Sequence, residues 1–426
     1  MIKVLMTAYA IHPYKGSEDA TGWNHVLQAA KGNEIIAVTR KNNREGIEKF
    51  IKENPDVEEL KRVEFMYFDF PKWMLFWKKG PFLSMIYYYI WQFSLALWLK
   101  SKKLNVDIIH NLNFHNDWTP QFLWMVGKPV IWGPVGHHPK VPKQFLLPIY
   151  GTRAYLKDRA LWVLKNIFWN CDPWLRISAK TASRIISLNS EAMPFYKDRS
   201  KIVAMPAVGA PKAEDSGEVL RSENFIVLSV GRFVSLKGFD LTIQSFSKFY
   251  KSLTLKQQAT TKLVLVGKGP EKQRYQDMCF ELGIEDAVDF IEWMPQAEVK
   301  NLYKKASVYL FPSHEGAGMV VPEAMSYGLP VVCLDNCGPG EFLHAQSKLK
   351  VPYLKYEETV KMLSQKLTQL HGDPVFYSIE KSLSAEQFAA KLDWNKKSIF
   401  WQRIYNDVMI ENKPKVAKSN VTVQPA

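Results

Sequence analysis

Residues 310–335 read LFPSHEGAGMVVPEAMSYGLPVVCLD, a strand, a glycine-rich loop and a helix in succession. Val308–Phe311 is an apolar run of strand length that ends in Pro312-Ser313-His314. Glu315 follows, then a Gly316-Ala317-Gly318 turn, and Pro322 is expected to open a helix carrying Glu323. With seven residues between them, Glu315 sits on the loop and Glu323 in the first helical turn, so both face one cleft. The unbonded amides of a helix start, here Gly316, Gly318, Met319 and Val320, together with the positive end of the helix, suit an anionic, oxygen-rich ligand.

Upstream, Ile226–Val230 reads as a strand running into Gly231-Arg232 and then Lys237-Gly238. An arginine and a lysine on one strand-to-helix loop can each reach an oxygen of a diphosphate and neutralise charge that grows on it. Leu263–Val266 and Val288–Trp293 read as further strands, the former followed by Gly267-Lys268-Gly269-Pro270, and Glu298–Ala306 as a helix. Isolated glutamate pairs and loop cations are usually a solvated surface; it is their order and spacing here that carry information.

Glu-x7-Glu after a Pro-Ser turn, followed by EAM-x-x-G-x-PVV, resembles the donor-site signature of the family 4 retaining glycosyltransferases, a group 1 type of bacterial glycan synthesis. VGRFVSLKGFDLTIQSF, about eighty residues earlier, is similar to that family's second motif. The resemblance implies an α/β fold of two Rossmann-like domains facing across a cleft (GT-B). It implies transfer, with retention, of a sugar from a UDP- or GDP-type nucleotide sugar to a hydroxyl of a glycan or lipid-linked acceptor; the nucleotide sugar is substrate, and no cofactor is expected. Arg232 and Lys237 would hold the diphosphate and stabilise its departure, Glu315 the donor sugar and Glu323 the ribose. The nucleoside would lie between the Gly267–Pro270 loop and the Trp293–Pro295 turn, which includes Met294. A GSE-x-x-x-GWN loop puts Gly16 over the donor's phosphate and sugar. Many members bring a histidine to the donor sugar from the first domain; of His110, His115, His137 and His138, His115 is ranked first as catalytic. The IWGPVG turn resembles a GPxGG turn, with His137-His138 where a second glycine is expected. NCGPGEFL departs from a frequent Gly-Gly-Pro by carrying Cys337. No Asp-x-Asp pair is present for a divalent ion, so no metal site is expected and cationic side chains take that task.

The first half repeats strand and helix. Ile2–Tyr9, Glu34–Thr39, Val63–Phe68, Val106–His110 and Pro129–Trp132 read as strands, with helices at Asn43–Lys52, Pro81–Lys103 and Thr119–Met125. His110 and His115 would follow the fourth strand, His137 and His138 the fifth, at the sheet's ligand-binding edge. Helices are expected around Leu161, Thr181 and Glu191, and short strands at Arg184–Leu188 and Lys201–Met205. Gly80–Leu99 is twenty uncharged residues flanked by lysines. Length permits a membrane span, but the segment joins two strands of one sheet, which favours a packed crossover helix, with a helix that also grazes the membrane next. The expected division is 1–208, a linker at 209–223 lacking apolar periodicity, 224–393, a helix at 394–411 crossing back to the first domain, and a disordered tail at 412–426.

The 426 residues suit two cores. Net charge is +14, and residues 1–205 hold 29 Lys and Arg against 17 acids. That basic half suggests an anionic membrane face as partner; nucleic acid is not expected, because no recognisable binding module accompanies the charge. Four cysteines without a pairing pattern suggest a reducing compartment, and Cys333, Cys337 and His344 read as small buried thiols near a histidine, not a metal cluster. The start MIKVLMTAYA carries no signal-peptide cleavage pattern, so a cytoplasmic protein, peripheral at the inner membrane face, is expected. The competing reading is a catalytically silent nucleotide-sugar-binding subunit of a membrane polysaccharide complex, which would have no need to keep all of Arg232, Lys237, Glu315 and Glu323.

Overall fold

The computed structural model describes residues 1–78, 80–112, 116–213, 224–292 and 294–412. Short apolar runs separated by helices pair in parallel, because each crossover returns the chain to the same sheet edge. The first sheet is built from β1 (Lys3–Ala8), β2 (Glu34–Thr39), β3 (Val63–Tyr67), β4 (Ile108–Leu112), β5 (Val130–Val135), β6 (Arg184–Ser187) and β7 (Ile202–Ala204), in the order β3-β2-β1-β4-β5-β6-β7. The second uses β8 (Phe225–Val230), β9 (Thr261–Val266), β10 (Val288–Ile291), β11 (Val308–Phe311), β12 (Val331–Leu334) and β13 (Lys350–Val351), in the order β10-β9-β8-β11-β12-β13. Strand order reverses beside β1, which pairs with both β2 and β4, and beside β8, which pairs with both β9 and β11. Ligands of such sheets gather at these reversal points, outside the carboxyl ends of the strands. The expected pair of parallel α/β domains is therefore what the chain forms.

The first sheet carries α1 (Ser17–Ala30), α2 (Arg44–Glu53), α3 (Gly80–Lys102), α4 (Lys143–Cys171) and α5 (Pro173–Thr181). The second carries α6 (Phe239–Tyr250), the one-turn α7 (Leu255–Gln258), α8 (Lys272–Glu281), α9 (Gln296–Lys305), α10 (Val320–Ser326), the one-turn α11 (Pro339–Phe342), α12 (Tyr356–Gly372) and α13 (Pro374–Gln387). α14 (Trp394–Glu411) then crosses back: Trp401 donates to His25 Nδ1 (3.1 Å), and Tyr405 pairs with His110 Nδ1 (2.8 Å).

α3 is a packed crossover helix: Tyr87, Tyr88, Trp91, Leu95 and Leu99 are buried against the first sheet. Among the described residues, no helix is long and apolar enough to cross a membrane. α4 is interrupted at Gly151 (φ 80°, ψ 177°), a backbone region that glycine alone reaches cheaply. Its first turns, with Phe145, Leu146 and Tyr150, join the core of the second domain, while Trp169 beyond the kink belongs to the first.

Four local expectations are corrected. Residues 119–125 are not a helix. Asn116 Oδ1 accepts from the amides of Trp118 (3.3 Å) and Thr119 (3.1 Å) and holds the chain in turns, leaving a single 3-10 turn at Leu123–Val126. The region of Glu191 is also a series of turns, because Met193 takes a left-handed conformation (φ 61°) and its amide is held by Asp117 Oδ2 (3.0 Å). α10 starts at Val320, two residues before Pro322, which a proline in the first turn permits. His110 lies inside β4, not beyond it. Of the expected linker, Ala210 bridges to Asp393, and residues 214–223 lie outside the described residues, as does the tail from 413.

Candidate functional site

The carboxyl ends of β8, β9 and β11 supply the site. Gly231 and Arg232 follow β8, Gly267 follows β9, and Pro312–Gly318 follow β11. These loops touch: a Cβ on Gly267 would lie 1.8 Å from the Gly231 carbonyl oxygen, and one on Gly238 (φ 68°) would lie 2.1 Å from that of Pro312. Glycine at 267 lets the loop after β9 lie against the basic loop, and glycine at 238 lets the basic loop lie directly on the acidic one. Lys237 Nζ thereby reaches Glu315 Oε2 at 2.6 Å, with the side chains 13% and 15% exposed, and sits 5.1 Å above the Phe311 ring. Glu323 points back toward the same sheet and accepts from Tyr303 (3.2 Å); burial holds its carboxyl above the usual range, opposed by Tyr303 and Lys300. Met294 follows β10 and packs against the second core; its neighbour Trp293 lies outside the described residues.

The first domain closes over this loop. Asn189 Nδ2 donates both to the Gly316 carbonyl (3.0 Å) and to that of His137 (2.9 Å), and the Gly316 amide approaches His138 Nδ1 (3.3 Å). A Cβ at Gly316 would fall 1.9 Å from the His137 carbonyl oxygen, so a side chain there is incompatible with the contact. α1 meets the opposite side, where the Thr21 hydroxyl lies 3.3 Å from Met319 Sδ. Gly16 precedes α1 with open space around it, and Ser17 takes the left-handed conformation (φ 59°). Glu18, in the first turn, has its carboxyl pushed up to about 7 by burial and by Asp19, against the pull of Arg232 in the other domain. Arg232 and the Gly16–Glu18 loop therefore face one another across the cleft.

Of the histidines, His110 is removed from the site. It is fully buried between Tyr405 and the Gly133 carbonyl (2.8 Å each), and burial lowers its pKa to about 4. His115 lies outside the described residues. His137 is at the cleft but anchored, with Nδ1 3.1 Å from Asp117 Oδ2 and its ring stacked on Trp169 (5.2 Å). His314 is buried beside Glu315, bonded to Tyr353 (2.8 Å) and lowered to about 3 by burial. Cys333 and Cys337 are buried thiols, both pushed up by burial. Among the described residues no cluster of three or more His, Cys, Asp or Glu could hold a metal.

Glu18, quoted in the GSE motif, and Asp117 and Asn189 were not singled out in the sequence as site residues. Glu18 carried a signal, an acid in the first turn of a helix at a reversal point. Asp117 and Asn189 act through partners 20 to 127 positions away and carried none.

Residues 212–392 match the family described as glycosyl transferases group 1. The chain is 33% identical over 174 residues to an uncharacterized glycosyltransferase of Haemophilus influenzae, which covers 38% of this chain and 45% of that one. It is 31% identical over 119 residues, 28% of this chain and 32% of that one, to the lipopolysaccharide core biosynthesis glycosyltransferase LpsD of Rhizobium meliloti. The alignments thus span less than half the length of these curated relatives. In fold it is similar to Anabaena Alr3699/HepE, solved in complex with UDP-glucose, with a TM-score of 0.58 and 13% identity over 96% of this chain and all of that one. The second domain, which carries Arg232, Lys237 and Glu315 on its loops and Glu323 in α10, is thus the part of the chain that is similar to the group 1 glycosyl transferases.

Proposed function

We propose that the chain transfers a sugar from a nucleotide diphosphate sugar to a hydroxyl of a glycan or lipid-linked acceptor, with retention at the anomeric carbon, in cell-surface polysaccharide synthesis. The observation that carries this is the Lys237–Glu315 pair between converging loops at the reversal point of the second sheet, with Arg232 on one of them and Glu323 in the first turn of α10. Arg232 and Lys237 take the diphosphate. Negative charge gathers there as the glycosidic bond breaks, and fixed cations in a low-dielectric cleft stabilise it without reorganising. Glu315, hydrogen-bonded to Lys237, accepts from the donor sugar's hydroxyls, and Glu323 from the ribose. Supporting the donor class, HepE was solved with UDP-glucose; supporting the acceptor class, LpsD is named for lipopolysaccharide core biosynthesis. The first domain, with its excess of basic residues, attaches reversibly to an anionic membrane from the cytoplasmic side.

The test is a panel of UDP-, GDP- and ADP-sugars in a thermal-shift assay. The cognate donor should raise the melting temperature by mass action, and absence of any shift across the panel overturns the reading. With that donor, transfer should persist in excess chelator, since side-chain cations replace a metal; activity that is lost to chelation and restored by magnesium or manganese would refute this part.

A further inference from the structure

α3, α4 and α5 each bury one face and leave a second apolar face in solvent. On α3, Ile86, Ile90, Phe93 and Leu97 recur at helical spacing and are 38–47% exposed, opposite the buried Tyr87, Trp91 and Leu95. On α4, Val163 and Ile167 are more than half exposed, one turn apart, and Trp174 continues the surface on α5. The faces are contiguous. Tyr89 of α3 packs on Phe168 of α4 (6.0 Å) and donates to Asp172 at the start of α5 (3.0 Å), while Phe122 touches both Phe93 (5.3 Å) and Trp174 (6.2 Å). At the entry to α3, Trp73 and Phe76 are each 75% exposed. A continuous apolar surface of this kind marks an interaction site.

Charge selects the occupant. Apart from the buried Lys165, the three helices contain eight Lys and Arg and a single acid, Asp158. Exposed tryptophan and phenylalanine beside lysines and arginines, with almost no carboxylates, match the headgroup layer of an anionic bilayer, where aromatic rings sit at the interface and cations meet lipid phosphates. We propose that this α3–α4–α5 face, with Trp73 and Phe76 as its inserted tip, is the surface that docks on the anionic membrane. The inference rests on the membrane attachment proposed above and assigns it a place. α4 also carries Trp162, whose ring lies 5.7 Å from that of His137, in the loop that contacts Gly316. Docking by this face would bring the His137 side of the cleft to the leaflet in which a lipid-linked acceptor moves.

The experiment is sedimentation of the full chain with phosphatidylglycerol or phosphatidylcholine vesicles at low and high salt. Wild type, a Trp73→Ser/Phe76→Ser variant, an Ile90→Glu/Phe93→Glu variant and a Lys41→Glu variant outside the face are compared. Wild type and Lys41→Glu should bind phosphatidylglycerol alike, and the two surface variants should bind at least roughly tenfold more weakly, as expected when two large apolar side chains lose burial. Equal melting temperatures, and equal shifts with nucleotide sugar, keep folding out of the comparison; all altered side chains but Lys41 are on the proposed face, so a misfolded glutamate variant leaves the Ser variant to decide. If wild type binds and both surface variants bind equally well, the attachment stands and this surface is wrong. If wild type fails to bind at low salt, the attachment itself falls. A concentration-dependent dimer that the surface variants dissolve would show a second copy as the occupant and overturn the proposal.

Discussion

Lys237 and Glu315 satisfy one another at 2.6 Å, so in the proposed reaction the donor diphosphate would share that ammonium with a carboxylate. An ammonium has three donors and can keep one on Glu315 while turning others to phosphate. Charge on the diphosphate grows toward the transition state, whereas the ribose hardly changes. Lys237→Ala should therefore lower kcat about 100-fold, on the scale of about 3 kcal/mol for one charge-stabilising donor. Glu323→Gln should mainly raise the donor KM. Both constants measured at saturating acceptor decide it; a Lys237→Ala effect confined to KM, with turnover abolished in Glu323→Gln, reverses the roles. Glu18 supplies a pH dependence. Its carboxyl is raised to about 7 beside Arg232, so above that pH it adds negative charge where a diphosphate would lie. The donor KM should fall as pH drops through 7 in wild type and stay low and flat in Glu18→Gln; parallel profiles would exclude Glu18 from the phosphate site. The meeting of Lys237 with Glu315 was legible because both lie in local motifs. The Asp117–His137 and Asn189–Gly316 contacts were not, because nothing in a chain order says which loops meet across a cleft.

At the scale of elements, α4 and α6 are joined through one buried carboxylate. Asp240, in the first turn of α6, accepts from Tyr150 of α4 (2.7 Å) and from Tyr356 of α12 (3.1 Å), and Tyr150 also meets Tyr275 (3.0 Å). Asp240→Ala strands two buried hydroxyls and should cost about 3 kcal/mol or more, whereas Tyr150→Phe removes the hydroxyl's bonds to Asp240 and Tyr275 but leaves Asp240 its bond from Tyr356, and should cost about 1–2 kcal/mol. Urea unfolding of both variants checks the order; an Asp240→Ala variant as stable as Tyr150→Phe would mean that water replaces the lost acceptor. Strands β1 to β11 were legible to within a few residues because runs such as Val308–Phe311 are apolar on both faces, while β12 and the two-residue β13 were not read as strands. Residues 119–125 and the Glu191 region misled because their composition tolerates a helix while side-chain acceptors, Asn116 and Asp117, capture the backbone amides instead.

For the whole molecule, the two domains are tied where the chain passes between them twice. The Ala210 amide bonds the Leu392 carbonyl (3.0 Å), and the Trp394 amide bonds that of Ala210 (3.3 Å). Lys397 is buried beside this crossing, donating to the carbonyls of Pro206 and Lys391, and burial lowers its pKa to about 7. An unfolded lysine titrates near 10.4, so between about 7 and 10 the unfolded chain binds more protons than the folded one. Stability from this residue is therefore absent below pH 7 and rises with pH across that window, by on the order of 1 kcal/mol per pH unit. Lys397→Met should remove the slope in urea unfolding measured at several pH values; an unchanged slope would place its origin elsewhere.

The kink at Gly151 also bears on how this molecule could be taken apart. Phe145, Leu146 and Tyr150 precede the kink and belong to the first half by position, yet they are bolted into the hydrophobic interior of the second. Cutting the chain between the halves near residue 210 would pull a plug from its socket, leaving apolar residues bare on both pieces. A chimera that exchanges the second half with a relative's would mate one protein's plug with another's socket. The unit that can be exchanged intact is thus discontinuous: it is the carboxyl-terminal domain together with the ten or so residues around Phe145, a splice that no linear boundary describes.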